Sequence, residues 1–372
     1  MEYYLLIELK ILNKNNFSNT LIMNIIFIGT ADFAAPILQS LIKNKINVVQ
    51  VITQPDKPVG RKQKLQASPI KLVALEYGIP VFQPENIKDQ KNIEIIKKMQ
   101  PDLIITAAYG QILSKEILEI PKFGCLNIHA SLLPKYRGAS PIQSAILNGD
   151  EETGITIMLM DKKMDTGKII QSAKIEIQNN DDSQILHNKL SNLGAELLIT
   201  TLLKYIQEAE KILNLWKEKY QKNLTIGQID SINSQFIIRN SLLKNQDESK
   251  ATYTKILKRE DGKINWTKSA REIERQIRAF YPWPGTWTIL KIKNLCLRQI
   301  YRRQKKSKIL KIFKAYTATI IKNNMTRAGD FFSTKDHQLA VKCGDGILII
   351  DELRIEGKKR MSSQEFLKGH TL

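Results

Sequence analysis

"MNIIFIGTADFAAPILQSLIKNKINVVQVIT", residues 23–53, divides into three pieces. MNIIFIG (23–29) is a short continuous apolar run, DFAAPILQSLIKN (32–44) repeats its apolar residues at helical spacing, and INVVQVIT (46–53) is a second apolar run. Runs this short and this uniformly apolar read as strands covered on both faces, and a helix between two of them makes a βαβ unit. Such a unit lays its strands parallel in one sheet, joined by a right-handed crossover. The turn after the first run, GTADFAAP (29–36), has one glycine where a dinucleotide fingerprint has three. It is read as a tight turn, and no nicotinamide cofactor is expected.

The rhythm continues outward from this unit. Helices are expected near 69–77 and 88–99, strands at DLIITAA (102–108), CLNIH (125–129) and ITIMLM (155–160), a helix from Pro141 to Leu147, and a closing amphipathic helix over 183–206. Together they predict a doubly wound, mostly parallel, Rossmann-like α/β domain over residues 23–206. Residues 207–250 are polar and rich in Asn, Gln and Lys, and read as a linker. In residues 251–372 a helix over 269–280 precedes short β-rich segments, LCLRQIY (295–301), QLAVKC (338–343) and GILIIDELRI (346–355). These predict a small antiparallel, OB-like β-barrel. Residues 1–22 lack the basic start and small-residue cleavage site of a signal peptide, and are expected to be a dispensable extension before Met23.

The net charge of +20 is unevenly placed. Residues 251–372 hold 27 lysines and arginines against 11 acids, whereas residues 1–250 hold 30 against 26. A composition heavy in lysine, isoleucine and asparagine raises basicity everywhere; concentration in the last third is the pattern of a surface for a polyanion. Three cysteines, Cys125, Cys296 and Cys343, stand far apart with no C-x-x-C pair, which argues against a zinc ribbon or a disulfide scaffold and fits a reducing compartment. The four histidines, His129, His187, His337 and His370, show no ligand spacing, so no metal is expected. No apolar stretch reaches the roughly 18 residues of a membrane span, and a cytoplasmic protein is expected.

Candidate chemistry sits in GCLNIHASLLPKYRG (124–138). Alternation along a strand puts Cys125, Asn127 and His129 on one face, with His129 at the carboxyl end, where open parallel sheets bind their ligands. Cys125 and His129, four apart on one strand, are too distant to act as nucleophile and base. MLMDKKMDTGKII (158–170) adds a turn carrying Asp161 and Asp165, with Gly167 at its return. An acid at the mouth of the same sheet could orient the imidazole. Taken alone, the strand-end pair reads equally well as a satisfied buried histidine and an asparagine capping the next turn, and the aspartates read more readily as turn residues.

The order MNIIFIGTADFAA, VITQPDKPVGR, LNIHASLLPKYRGASPIQ, MDKKMDTG, IRAFYPWPGTW closely resembles the folate-dependent formyltransferase family, in its branch acting on methionyl-tRNA, over nearly all of residues 23–372. That family shares a strand-end Asn, a His two residues later, a loop S-L-L-P, and an Asp before T-G. The resemblance implies Asn127, His129 and Asp165 as catalytic residues and Ser131, Leu132, Leu133 and Pro134 as the folate-binding loop. It implies formyl transfer from 10-formyltetrahydrofolate to an amine, with no metal and no covalent nucleophile.

For the acceptor, the resemblance implies initiator methionyl-tRNA; a monomer is expected. QPDKPVGRKQKLQASPIK (54–71) reads as a mobile basic loop holding Lys57, Arg61, Lys62, Lys64 and Lys71. The matching loop of the tRNA enzymes lies beside the acceptor stem, which implies Arg61 at the opened end of the helix, with Lys62 and Lys64 as phosphate partners. YPWPGTW (281–287) is expected to be a packed turn more than a base-stacking platform. The linker is longer than the family's usual length and residues 299–326 match only loosely. Two other readings stay open: a formyltransferase acting on a small amine, which does not need residues 251–372, and a non-catalytic tRNA-binding protein that retains the fold.

Overall fold

The computed structural model describes residues 23–60, 63–220, 241–291, 307–318 and 327–370. The chain condenses into two compact units that interleave along the sequence. The first takes the chain to His129, Thr156–Ser172 and Ser191–Gln246; the second takes Ala130–Ile155, Ala173–Leu190 and Asp247–Leu372.

In the first unit the opening stretch is the βαβ unit its pattern predicts. Strand β1 (Ile25–Gly29) is buried along its whole length. A single 3-10 turn and helix α1 (Ala35–Lys43), with Pro36 in its first turn where the missing N–H costs nothing, lead to β2 (Val48–Ile52). Next come a hairpin of β3 (Lys57–Val59) and β4 (Lys64–Gln66), helix α2 (Pro69–Glu76), β5 (Val81–Phe82), helix α3 (Gln90–Lys98), β6 (Leu103–Ala107), a short α4 (Lys115–Leu118) and β7 (Cys125–His129). The flanks of the basic loop thus pair as an antiparallel ribbon, Lys57 opposite Gln66 and Val59 opposite Lys64, because alternate backbone groups on both arms find partners there.

With β9 (Glu152–Leu159) and β10 (Ile169–Glu176) these strands form a seven-stranded sheet in the order β10-β9-β7-β6-β1-β2-β5. The pairs β1/β2, β1/β6, β2/β5 and β6/β7 are parallel, as the periodicity predicts. The chain fills one side of β1 with β2 and β5 and then crosses to the other for β6 and β7, so the order reverses at β1, the position at which such sheets open a ligand crevice. The pair β7/β9 is antiparallel, His129 standing opposite Thr156 and Leu126 opposite Leu159. A run of apolar residues marks a strand as buried; it carries no mark of the direction in which the strand runs.

Helix α6 runs from Ser183 to Tyr220, past the end its amphipathic stretch predicts. The added residues include Glu, Ala, Lys and Leu and no Gly or Pro, so nothing in them stops a helix. It is tied to the sheet by Ser191 Oγ donating to Phe33 O at 2.7 Å and by Tyr205 Oη donating to Phe123 O at 2.8 Å, both pairs buried.

The second unit contains β8 (Arg137–Gly138), helix α5 (Pro141–Asn148), β11 (Tyr253–Thr254) and helix α7 (Ala270–Ala279). Helix α7 starts on a capping box, in which Ser269 Oγ accepts from Glu272 N while Glu272 Oε2 accepts from Ser269 N. It packs Ile273 and Ile277 on a six-stranded sheet, β12 (Thr286–Lys291), β13 (Ser307–Ala318), β16 (Ile347–Ile355), β15 (Leu339–Lys342) and β14 (Phe331–Ser333) in that order, with β17 (Met361–Ser362) on β16. Every described pair in it is antiparallel. Helix α8 (Ser363–Gly369) closes the chain and buries Phe366. Residues 1–22 and the segment LCLRQIY with Cys296 lie outside the described residues; within the loosely matching stretch 299–326, β13 is described. Among the described residues no helix is long and apolar enough to cross a membrane.

Tyr205→Phe removes the buried bond between α6 and the Phe123 carbonyl and is expected to destabilise the protein by about 1 kcal/mol. Urea denaturation of the variant checks this; stability equal to that of the parent would mean the bond does not hold the helix.

Candidate active site

Strand β7 is flanked on both sides, by β6 and β9, so its polar side chains must find partners inside the sheet. Thr106 on β6 stands in register with Asn127. Its hydroxyl lies 2.9 Å from Asn127 Oδ1, 3.0 Å from the Leu126 carbonyl and 3.3 Å from Met160 Sδ, and its single proton is shared among these acceptors. The amide is therefore anchored by its oxygen, and among the described residues Nδ2 is left as the end that can donate to a ligand. Two residues on, His129 is 6 % exposed.

The antiparallel run of β9 starts its exit turn beside the amino end of β7, where Met160 N donates to Cys125 O at 2.7 Å. The turn comes back to set Asp165 Oδ2 3.7 Å from His129 Nδ1. That distance is within ion-pair range and past hydrogen-bond length, and catalytic bonds of this kind often shorten only when substrate binds. The two acids of the turn divide the work. Asp161 builds it, accepting from Lys163 N at 3.1 Å and from Thr166 Oγ1 at 2.6 and 2.8 Å. Asp165, at φ +53°, faces the imidazole. Gly167 is required at the return, because a Cβ there would lie 1.8 Å from Leu159 O.

The structure thus brings Asn127, His129 and Asp165 together in the first unit. Cys125 shares their face, yet it is sealed among Ile104, Ile117 and other apolar side chains, and burial pushes its thiol far up from its ordinary value. A thiol held protonated is no nucleophile. Among the described residues no group of three or more His, Cys, Asp or Glu stands close enough to hold a metal ion.

In the second unit, the loop that follows His129 in the chain is a tight turn. Lys135 N donates to Leu132 O at 3.1 Å, and the fully buried Ser131 donates its hydroxyl to Lys135 O at 2.6 Å. Ser131 and Leu133 point inward, whereas Leu132 and Pro134 are partly exposed. Just beyond, Arg137 is fully buried and makes two bonds to Glu248, at 2.7 and 2.9 Å, and one to Tyr253 Oη at 3.0 Å. Glu248 is what raises its proton affinity most, and such pairing is what makes a buried guanidinium tolerable.

Of the basic loop, Lys64 is exposed on β4, while Arg61 and Lys62 lie outside the described residues. Lys71 is committed to Asp56, at 2.8 Å, and Lys57 to Gln54 Oε1, at 2.6 Å. Bonds from Gln83 and then Lys71 hold the Asp56 carboxyl below the usual carboxylate range. In YPWPGTW the chain turns as expected, but of its two tryptophans Trp287 is tied down, its indole donating to Arg259 O at 3.1 Å, whereas Trp283 is 59 % exposed. Thr106 carries only a faint mark in the sequence, a lone hydroxyl in an otherwise apolar strand, LIITA.

Residues 23–202 and 256–371 match family profiles described as "Formyl transferase" and "Formyl transferase, C-terminal domain". The methionyl-tRNA formyltransferase of Geobacter metallireducens is 40% identical over 93% of this chain and 96% of its own length. That of Staphylococcus epidermidis is 39% identical over 93% and 96%. The crystal structure of an N-formyltransferase from Helicobacter canadensis, in complex with folinic acid and dTDP-3-aminofucose, is similar with a TM-score of 0.52 at 22% identity, covering 88% of this chain and 98% of that one. At that identity the likeness speaks for the fold alone. The chain belongs to the formyl transferase family and, within it, to the methionyl-tRNA formyltransferases.

Thr106→Val keeps the shape of the side chain and removes the proton that anchors Asn127. It is expected to lower kcat for formyl transfer by about tenfold, less than the roughly 10²- to 10³-fold cost of losing an oxyanion donor itself. Thr106→Ser is expected to restore most of it, and steady-state rates of the two variants side by side provide the check.

Proposed function

We propose that this protein transfers the formyl group of 10-formyltetrahydrofolate to the α-amino group of methionine on initiator tRNA, in the cytoplasm, for translation initiation. The observation that carries the reading is the meeting of Asn127, His129 and Asp165 at the end of β7, in a chain that matches methionyl-tRNA formyltransferases over nearly its whole length. Residues 23–206 supply the catalytic part, 207–250 the connection, and 251–372 the polyanion-binding part.

The chemistry asks for little and the residues fit it. The amine attacks the formyl carbon, a C–N bond forms, and the bond to the departing folate nitrogen breaks. Asn127 Nδ2 donates to the formyl oxygen as its negative charge grows. His129 takes the proton that the attacking nitrogen must lose and returns it to the nitrogen that leaves, and Asp165 orients the ring for both transfers. An α-amine has an ordinary pKa of about 7.7–8.0, so part of it is neutral without an enzyme base. The uncharged Asn127 amide suits a carbonyl oxygen, and the partly exposed Leu132 and Pro134 of the 131–134 loop offer an apolar edge to the folate.

For the tRNA, support comes from the face of the C-terminal sheet that is turned away from its core. Trp287, Lys311 and Arg354 stand side by side on β12, β13 and β16. The Arg354 guanidinium also lies 5.6 Å from the centre of the Phe313 ring, and that of Arg360 lies 4.6 Å from it. Like charges directly across a ladder are unfavourable, and burial together with the charges of Arg354 and Arg259 pushes the Lys311 ammonium down. A phosphate backbone relieves that repulsion, and the interleaved rings offer surfaces to bases or sugars.

Incubation of the protein with 10-formyltetrahydrofolate labelled in the formyl group and with charged initiator tRNA is expected to move label into the tRNA. No transfer, or transfer to free small amines alone, would overturn the reading. For the basic face, Lys311→Ala and Arg354→Ala are each expected to weaken methionyl-tRNA binding and to lower the slope of log affinity against log salt by about 1. Binding titrations over a salt series measure this, and an unchanged slope would remove these residues from the interface.

A further inference from the structure

We propose that Gln246 is a positioning residue for the reaction: its side-chain amide holds the turn that presents Asp165 to His129. The inference rests on the reading of Asp165 and His129 as the pair that handles the proton.

Gln246 Nε2 donates to two carbonyls of that turn, Asp165 O and Gly167 O, at 2.8 Å each. Only a primary amide carries two protons on one uncharged nitrogen, and here both are directed at successive bends of one short loop. The approach is fixed by the backbone. Lys244 and Ile169 exchange a pair of hydrogen bonds, Lys244 N to Ile169 O and Ile169 N to Lys244 O, both 2.8 Å, as an antiparallel bridge. Two residues further along each arm, that register sets Gln246 opposite Gly167.

The turn needs holding. Asp165 occupies the left-handed region, at φ +53°, a conformation that non-glycine residues adopt at a cost. Gly167 is wedged against Leu159 O. From within, Asp161 fastens Lys163 and Thr166, and from outside the turn a side chain meets the carbonyls of 165 and 167. Gln246 satisfies both. Without those bonds the backbone of Asp165 can relax toward the right-handed region, which swings its carboxylate away from the imidazole now 3.7 Å distant.

The test uses the full chain with Gln246→Met, which keeps length and loses both donors, and Gln246→Glu, which turns acceptors toward the two carbonyls. Both are expected to lower kcat by about 10- to 100-fold, part of the roughly 10²- to 10⁴-fold that acid–base groups contribute, with KM for folate and for tRNA within about twofold of the parent. The NMR resonances of the His129 ring, which report its contact with Asp165, are expected to move in both variants, and in an Asp165→Asn background Gln246→Met is expected to add no further loss. Unchanged kcat in Gln246→Met, a loss confined to KM, unmoved His129 ring resonances, or a loss that adds to that of Asp165→Asn would each overturn the proposal. Should Gln246→Glu fail to fold, Gln246→Met and the double variant still decide it. Full activity of Asp165→Asn alone would instead sink the proton-handling reading on which the proposal stands.

Discussion

Polar side chains on a strand with neighbours on both sides have to be satisfied by the elements packed against them, and in this protein that requirement organises the candidate site. Strand β7 lies between β6 and β9. From β6, in register, comes the Thr106 hydroxyl, which anchors the oxygen of the Asn127 amide and turns its nitrogen outward. From beyond β9 comes the Asp165 carboxylate, which stands beside His129. One strand supplies the amide and the imidazole, and the elements on its two sides set how those groups are aimed.

The same logic explains why the turn between β9 and β10 is built so rigidly. A single carboxylate brought to an imidazole by a loop is useful only when the loop has one conformation. Asp161 closes the turn from inside, Gly167 lets the backbone pass against Leu159 O, and Gln246 takes the two outward carbonyls. None of these groups has to touch a substrate. In the second unit Arg137 does comparable work, its buried guanidinium binding Glu248 and Tyr253 together immediately after the 131–134 loop.

Much of this was legible before any coordinates. The βαβ pattern of residues 23–53 predicts the parallel pairing of β1 and β2, and simple alternation puts Asn127 and His129 on one face. Other features were not legible. The antiparallel direction of β9, the length of α6 and the hairpin within the basic loop depend on hydrogen-bond partners distant in sequence, which periodicity does not encode. Thr106 reads as one more residue of an apolar strand until its register with Asn127 is known. The prolines of YPWPGTW foretell a turn, but not that Trp283 faces outward while Trp287 is tied down.

What the sequence determined by itself is the class of fold, the strand whose end carries an amide and an imidazole, and the concentration of positive charge in the last third of the chain. Each is a local property, written in spacing and composition. The tertiary structure decided which of two turn aspartates reaches the imidazole, that Cys125 is sealed and inert, and that Lys311 and Arg354 face each other across a ladder. These outcomes depend on strand direction and register, and they are set by the joint satisfaction of backbone and buried polar groups over the whole sheet, to which no short stretch of sequence has access.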